Sequence, residues 1–392
     1  MRLLHTSDWH IGRTFHGHST IEHIRIVLDA LIDIVRDHRV DVVVVSGDIF
    51  DSATPAAESY TVLTSVLVRL REAGATVVVT SGNHDSATRL GFQSEFASLA
   101  GIHVITRFAD LDKPVTVSDS HGPVHIYGIP YLEPSLIRHL AGPGADGAEV
   151  RTHEQALTVA MSRIRSDLAR RPGRSVVLSH CFASGIAAAD EASEVERDIT
   201  SGGLDLVPAS VFDGPDYVAL GHIHGRSRVS ERIRYSGAPL HYSFSEAGKP
   251  RGVWLVELGQ PGTAGDIEWV DLPVPRTLAV LTGTLDSLLE DPAHRAHEGD
   301  WVSAVLTDQS RPLDGMRRLQ GRFPWCVTLE HRPTLRAETG MLNYTERLRG
   351  KPDHEIVADF LGFVRNGVGP TSFERDAIAG AITDRDVAES VA

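Results

Sequence analysis

The chain has 392 residues, 42% of them hydrophobic and 23% charged, the balance of an ordinary globular protein of two or three domains. No stretch approaches the ~18 consecutive apolar residues of a membrane span, and Met1-Arg2-Leu3-Leu4 opens as a strand, so no secretory leader is expected. A formal net charge of −14 excludes a global basic field as the means of holding nucleic acid, but leaves room for a local basic groove, a metal anchor or a basic partner.

In chain order, residues 3–6 read as a short strand. Ser19-Thr20-Ile21-Glu22 reads as a capping box, after which Ile21, Ile24, Leu28, Leu31 and Val35 recur at helical spacing. The β-branched run from Val40 to Val45, broken only by Asp41, reads as a buried strand. Thr54-Pro55 is expected to open a second helix, with Pro at its first position and Gly74 beyond its end. Residues 77–80 form another buried strand. This rhythm predicts parallel strands joined by crossover helices. Residues 142–147 read as a surface loop, followed by a helix over about 152–170 and a strand over 175–179. Short strands are expected over 217–220, 233–236, 252–258 and 266–272. The texture changes at Leu272-Pro273-Val274-Pro275. The expected domains are therefore 1–272, a small α/β unit over 273–335, and a polar stretch over 336–392 with helical patterns near 353–366 and 372–384.

Five short motifs fall where a strand is expected to end, which is where sites assemble in open α/β sheets. Asp8-Trp9-His10 sets a carboxylate and an imidazole two residues apart. Gly47-Asp48-Ile49-Phe50-Asp51 turns at a glycine and projects Asp48, whose two oxygens could bridge two cations. Gly82-Asn83-His84-Asp85 offers a neutral oxygen ligand, an imidazole to donate a proton or stabilise charge, and a carboxylate to orient that ring. His180 ends the strand before it, and Gly221-His222-Ile223-His224 supplies two more imidazoles. Each motif alone also reads as a turn residue or a surface histidine. Together they supply two Asp, one Asn and four His as ligands, with His84 to spare. Oxygen and imidazole donors without thiolates suit Mn²⁺, Fe²⁺ or Zn²⁺ in a two-metal site that clamps a phosphoryl group. Only Cys181 and Cys326 are present, which suits a reducing cytoplasm better than a disulfide framework.

The ordered set Asp-x-His, Gly-Asp-x-x-Asp, Gly-Asn-His-Asp, His and Gly-His-x-His resembles the calcineurin-like metallophosphoesterases. The opening Leu4-His5-Thr6-Ser7-Asp8-Trp9-His10-Ile11-Gly12-Arg13 narrows the resemblance to the SbcD-type nuclease subunits of bacterial SbcCD complexes. It is strong through about residue 245 and rests on length and layout beyond 275. It implies an α/β fold, a β-sandwich flanked by helices, with a small α/β capping domain and C-terminal helices. It also implies one cation held by Asp8, His10, Asp48 and His224, and a second by Asp48, Asn83, His180 and His222. His84 would then sit beside the scissile phosphate, steadied by Asp85. Archaeal and eukaryotic relatives carry a His three residues after the bridging Asp, whereas this chain has Asp51. The further implications are a Mn²⁺-dependent exonuclease and endonuclease for DNA ends and hairpins. It would form a homodimer within a heterotetramer with an SbcC-type SMC-like ATPase, cytoplasmic and associated with the nucleoid. Arg13, Arg89 and Arg226 are candidate DNA contacts, with Arg228, Arg311, Arg317 and Arg318 as weaker ones. The competing reading is a phosphatase or phosphodiesterase of the same superfamily with a substrate other than DNA, since the five motifs define metals and phosphate and not the rest of the substrate.

Overall fold

A computed structural model describes all residues except 142–148, 185–205, 261–264, 335–349, 366 and 392. The expected loop over 142–147 and the expected boundary after 335 lie outside the described residues. The chain divides into two compact units, Met1–Pro275 and Arg276–Ala392.

The first unit holds two six-stranded sheets. One has the order β11-β10-β1-β2-β3-β4, where β1 is Arg2–Thr6, β2 Val42–Ser46, β3 Thr76–Thr80, β4 Ile102–Ile105, β10 Gly252–Glu257 and β11 Ile267–Asp271. The other runs from the short strand Ser227–Arg228 through β9, β8, β7 and β6 to β5. Here β5 is Val115–Asp119, β6 Gly122–Gly128, β7 Arg174–His180, β8 Tyr217–Gly221 and β9 Ile233–Tyr235. The strands β1 to β4 are mutually parallel, as are β6 to β9, whereas β5, β10 and β11 join antiparallel. The parallel strands expected early in the chain are present as β1 to β4. Parallel strands account for the middle of each sheet, and antiparallel ones close the sheets where no crossover helix intervenes.

The hydrophobic pattern explains the layers. In β2, Val42 and Val44 face the other sheet, meeting Val176 and Leu178 of β7, while Val43 and Val45 face the opposite way. Both faces are covered, so the strand is apolar at every position and shows no alternation. Helix α1 (Ile21–Asp37) buries Ile24, Val27, Leu28, Leu31, Ile32 and Val35, and α2 (Ala57–Glu72) buries Val62, Leu63, Val66 and Leu70, all in the core outside the first sheet. Helix α3 (His153–Leu168) packs Ala156, Leu157, Ala160, Met161 and Ile164 outside the second. The result is helix, sheet, sheet, helix.

Two helix starts differ from expectation. The Ser19–Glu22 capping box does not form: Thr20, one residue later, is the N-cap of α1, its side chain accepts no cap hydrogen bond, and its hydroxyl donates to the Arg13 carbonyl at 2.7 Å. Helix α2 begins at Ala57, because the N-cap Ala56 is extended and leaves Pro55 outside the first turn. A capping box does form at Thr152 and Gln155 of α3.

The second unit carries a parallel three-stranded sheet of β12 (Leu278–Gly283), β13 (Trp301–Leu306) and β14 (Cys326–His331). Helices α4 (Leu285–Glu290) and α5 (Gly315–Arg322) close over it, burying Leu285, Leu288, Leu319 and Phe323 against Leu281, Val302 and Leu306. Helices α6 (Asp353–Val364) and α7 (Ser372–Val391) follow, with the Arg365 guanidinium donating to the Glu374 carboxylate at 2.8 Å just beyond α6. No helix among the described residues is long and apolar enough to cross a membrane.

Candidate metal centre

The parallel strands of both sheets end on the same side of the sandwich, and the five motifs meet there. Asp8 and His10 follow β1, Asp48 follows β2, Asn83 and His84 follow β3, His180 ends β7, and His222 and His224 follow β8. Asp8, His10, Asp48, His180 and His224 are all buried. Three overlapping sets bring ligand atoms within 4.8 Å of one another: Asp8 with His10 and His224, His10 with Asp48 and His84, and Asp8 with Asp48 and His180.

The backbone is bent to achieve this. Asp8 (φ 54°), His10 (φ 44°), Asp48 (φ 51°) and His222 (φ 104°) are all in the left-handed region. Such a residue costs roughly 1–3 kcal/mol and persists only where its surroundings over-determine it. The strand ends also need glycine. A Cβ on Gly221 would collide with the Ser46 carbonyl oxygen and the His180 ring, and one on Gly82 with the Asp48 carboxylate.

Three of the imidazoles share one design. His180 Nδ1 donates to the Ser46 carbonyl at 2.9 Å, which leaves Nε2 facing Asp48 Oδ2 at 3.3 Å and Asn83 Oδ1 at 2.9 Å. His224 Nδ1 lies 3.4 Å from Glu246 Oε1, and His10 Nδ1 lies 3.2 Å from Asp51 Oδ1. The Nε2 atoms of His10 and His224 then meet at 3.2 Å, with Asp48 Oδ2 3.5 Å from His10 Nε2. With each Nδ1 turned to an oxygen, these two Nε2 atoms present lone pairs to one another. That contact is repulsive unless a proton or a cation lies between them. His222 turns Nδ1 inward, 3.2 Å from Asn83 Oδ1. Imidazole and oxygen acceptors aimed at one another, with an oxygen behind three of the rings, fit divalent cations.

Burial neutralises some of the imidazoles, and the buried carboxylates charge another. Burial holds His10 down at about 4, and burial together with His180 holds His222 down at about 3, so both are neutral and able to ligate. Burial also opposes charge on His180, but Asp48 and Asp8 outweigh it and push its pKa up to about 9. Asp48 is held well below the carboxylate range, its burial overcome by His180, His10 and His84. Burial raises Asp8 to about 6 against the pull of His180 and His224.

One expectation is corrected. Asp85 does not steady the His84 ring. Its carboxylate accepts from the backbone N–H groups of Ile49, Phe50 and Gly82 at 3.1, 2.9 and 2.9 Å, tying the β2 and β3 loops together. Burial and the nearby Asp48 raise its pKa to about 6. The His84 Nδ1 donates instead to the Asp51 carbonyl at 2.9 Å, and the His84 backbone N–H donates to Asp48 Oδ1 at 2.9 Å. Arg13 is half-buried. Its guanidinium lies over the Tyr242 ring and pairs with Asp51 at 3.1 Å. Arg89 is exposed with its guanidinium on the Ala53 carbonyl, and Arg226 is exposed over the Trp269 ring.

Motif reading missed Glu246 and Arg251. Both are buried, paired at 2.5 Å, and Glu246 braces His224 while accepting from the Tyr242 N–H at 2.9 Å. Burial would raise the Glu246 pKa, but His224 and Arg251 hold it down at about 2. The only signal in the sequence was two opposite charges five residues apart between apolar strands.

Residues 274–364 match the SbcD C-terminal model, described as the type 5 capsule protein repressor C-terminal domain. Among solved structures, TT1561 of Thermus thermophilus is 13% identical with a TM-score of 0.41, over 69% of this chain and 98% of that one. A dimetal phosphatase from Danio rerio is 14% identical with a TM-score of 0.37, again over 69% and 98%. GAP50, the anchor in the inner membrane complex of Plasmodium, is 10% identical with a TM-score of 0.36, over 85% and 98%. The assignment rests instead on the match of residues 1–226 to the calcineurin-like phosphoesterase model. That match spans more than half of the 392 residues and every strand-end motif of the metal centre, and the chain belongs to the calcineurin-like phosphoesterase family.

Proposed function

We propose that this phosphoester hydrolase is a DNA nuclease of the SbcCD type, cleaving phosphodiesters at ends and hairpins with a pair of divalent cations, most simply Mn²⁺. The observation that supports the reading is the joint one. Clustered Asp and His ligand groups lie at the strand ends, and residues 274–364 match the SbcD C-terminal model. The ligand sets are Asp8, His10, Asp48 and His224 for one cation and Asp48, Asn83, His180 and His222 for the other.

When bound, such a pair neutralises phosphate charge and acidifies a water. The chain's own residues do the rest. Asp48 stands between the two ligand sets, within reach of both His10 and His180. His84 has Nδ1 committed to the Asp51 carbonyl, so Nε2 is its free nitrogen. It is half-buried at the edge of the ligand cluster, where it can hand a proton to the departing ester oxygen or stabilise charge on it. Water adds across one P–O bond, and no Ser or Cys nucleophile is required.

Acidity is compatible with this reading if basic surface is local or borrowed. Arg89 and Arg226 are exposed candidates for phosphate contact. Phe92, Phe96 and Leu99, each at least 75% exposed, support a homodimer face. Phe360, Phe363 and Phe373 on α6 and α7 support docking of an ATPase partner. Residues 273–335 would be the DNA-contacting cap.

The test is Mn²⁺-dependent cleavage of end-labelled linear and hairpin duplex DNA, with Asp48→Ala and a chromogenic phosphodiester alongside. Degradation of DNA that disappears in Asp48→Ala is the expected result. Cleavage that survives in Asp48→Ala refutes the two-cation mechanism, and turnover of the small ester with DNA untouched in the presence of the ATPase refutes the nuclease reading.

A further inference from the structure

We propose that Asp51 is a positioning residue that aims two imidazoles of the centre at once, His10 through its carboxylate and His84 through its main-chain carbonyl. The inference rests on the two-cation reading above and extends it to a residue outside the ligand sets.

His10 Nδ1 is buried, and Asp51 Oδ1 at 3.2 Å is the acceptor within its reach, although the line between them is bent and no better-aligned partner is present among the described residues. A buried ring N–H left unpaired is costly, so the ring settles with Nδ1–H toward Asp51. This choice of tautomer leaves Nε2 as a lone pair facing His224 Nε2 and Asp48 Oδ2. A carboxylate behind a ligating imidazole both orients the ring and raises its basicity.

The same residue holds His84 by a different atom. Asp51 O accepts from His84 Nδ1 at 2.9 Å, and the rings of His10 and His84 meet edge to face with centroids 4.8 Å apart. Asp51 is itself fixed. Its N–H reaches toward the Ile11 carbonyl at 3.4 Å, a β-bridge joins Ile11 to Phe50, and Arg13 pairs with its carboxylate at 3.1 Å. Arg13 is in turn held over Tyr242, whose ring also flanks His10 and His224. Asp51 thus adds a side-chain link between the β1 and β2 loops, which backbone hydrogen bonds from Asp8, His10 and Ile11 already join.

The division of labour makes a selective prediction. Removing the carboxylate disturbs His10 and leaves the main-chain bond to His84 in place. In the full chain, Mn²⁺ alone is titrated calorimetrically into the wild type, Asp51→Ala and Asp51→Asn, with thermal melts in EDTA to check the fold. The expected result is two sites in the wild type. In Asp51→Ala the site that includes His10 weakens about 10–100-fold while the other keeps its affinity. In Asp51→Asn, which keeps an acceptor, the loss is smaller. Equal weakening of both sites, or no weakening, overturns the proposal. If Asp51→Ala does not fold, Asp51→Asn decides by the same criterion of a loss confined to one site. A wild type that binds no pair of Mn²⁺ ions instead brings down the two-cation reading itself, so the two failures are distinct.

Discussion

His5 lies in the core between the two sheets and makes the first unit acid-sensitive by an amount that can be worked out. Its Nε2 faces the Leu220 carbonyl at 3.1 Å and its Nδ1 the Tyr217 hydroxyl at 2.9 Å. A carbonyl only accepts, so Nε2 carries the proton and Nδ1 accepts from Tyr217, which is the neutral imidazole. Burial first, with help from the charge on Arg234, lowers the pKa from 6.5 to about 3, against the Leu220 bond. The unfolded chain therefore takes up this proton near pH 6.5 and the folded chain only near 3. Stability from this group is fully present above 6.5 and is lost as pH falls from 6.5 toward 3. At 1.36 kcal/mol per unit, the loss between pH 7 and pH 4 is about 3 kcal/mol. The assay is urea unfolding of the wild type and His5→Gln at pH 7, 6, 5 and 4, in EDTA so that metal linkage is removed. At pH 7 the variant should be less stable by about 1–2 kcal/mol, through an imperfect hydrogen bond. Its disadvantage should then shrink, and reverse, as pH falls, because the other titrating groups are common to both chains and cancel. A stability difference that stays constant within about 1 kcal/mol from pH 7 to 4 would refute the argument.

Gly221→Ala should cost about 1–3 kcal/mol by overpacking and should also weaken Mn²⁺ binding, because the new methyl group lands on the Ser46 carbonyl that holds His180. A variant with wild-type melting and wild-type Mn²⁺ affinity would contradict that close approach. His84→Gln should bind Mn²⁺ like the wild type yet lose about 10²–10⁴ in turnover of a chromogenic phosphodiester, as expected when a general acid is removed. Near-normal turnover would take His84 out of the chemistry. Arg226→Ala should weaken duplex binding uniformly across sequences and lower the salt slope by about one, measured by fluorescence anisotropy over a salt series. An unchanged slope would remove Arg226 from the phosphate contacts.

Much of the centre was legible from residues alone, because a strand that ends in Gly-Asp or Gly-Asn-His announces both its turn and its chemistry. The unbroken valines of β2 already said that the strand is covered on both faces, and the spacing of Ile24, Leu28, Leu31 and Val35 already said which face of α1 is buried. Local pattern reports local burial and backbone preference. It could not say that the rhythm builds two sheets, since strand order depends on which distant edges pair. Nor could it say that Thr20 would bond to Arg13 or that Asp85 would spend its oxygens on three backbone amides, since both partners become available only once the chain has closed on itself. The left-handed bends at Asp8, His10, Asp48 and His222 belong to the same class. Asp and His tolerate this region better than most side chains, but tertiary contacts hold them in it. The sequence determined which donors exist and at which strand ends they stand. Only the tertiary structure decided that Asp51 and Glu246 brace His10 and His224 from behind, because ring orientation is set by neighbours brought from 22 to 41 positions away in the chain.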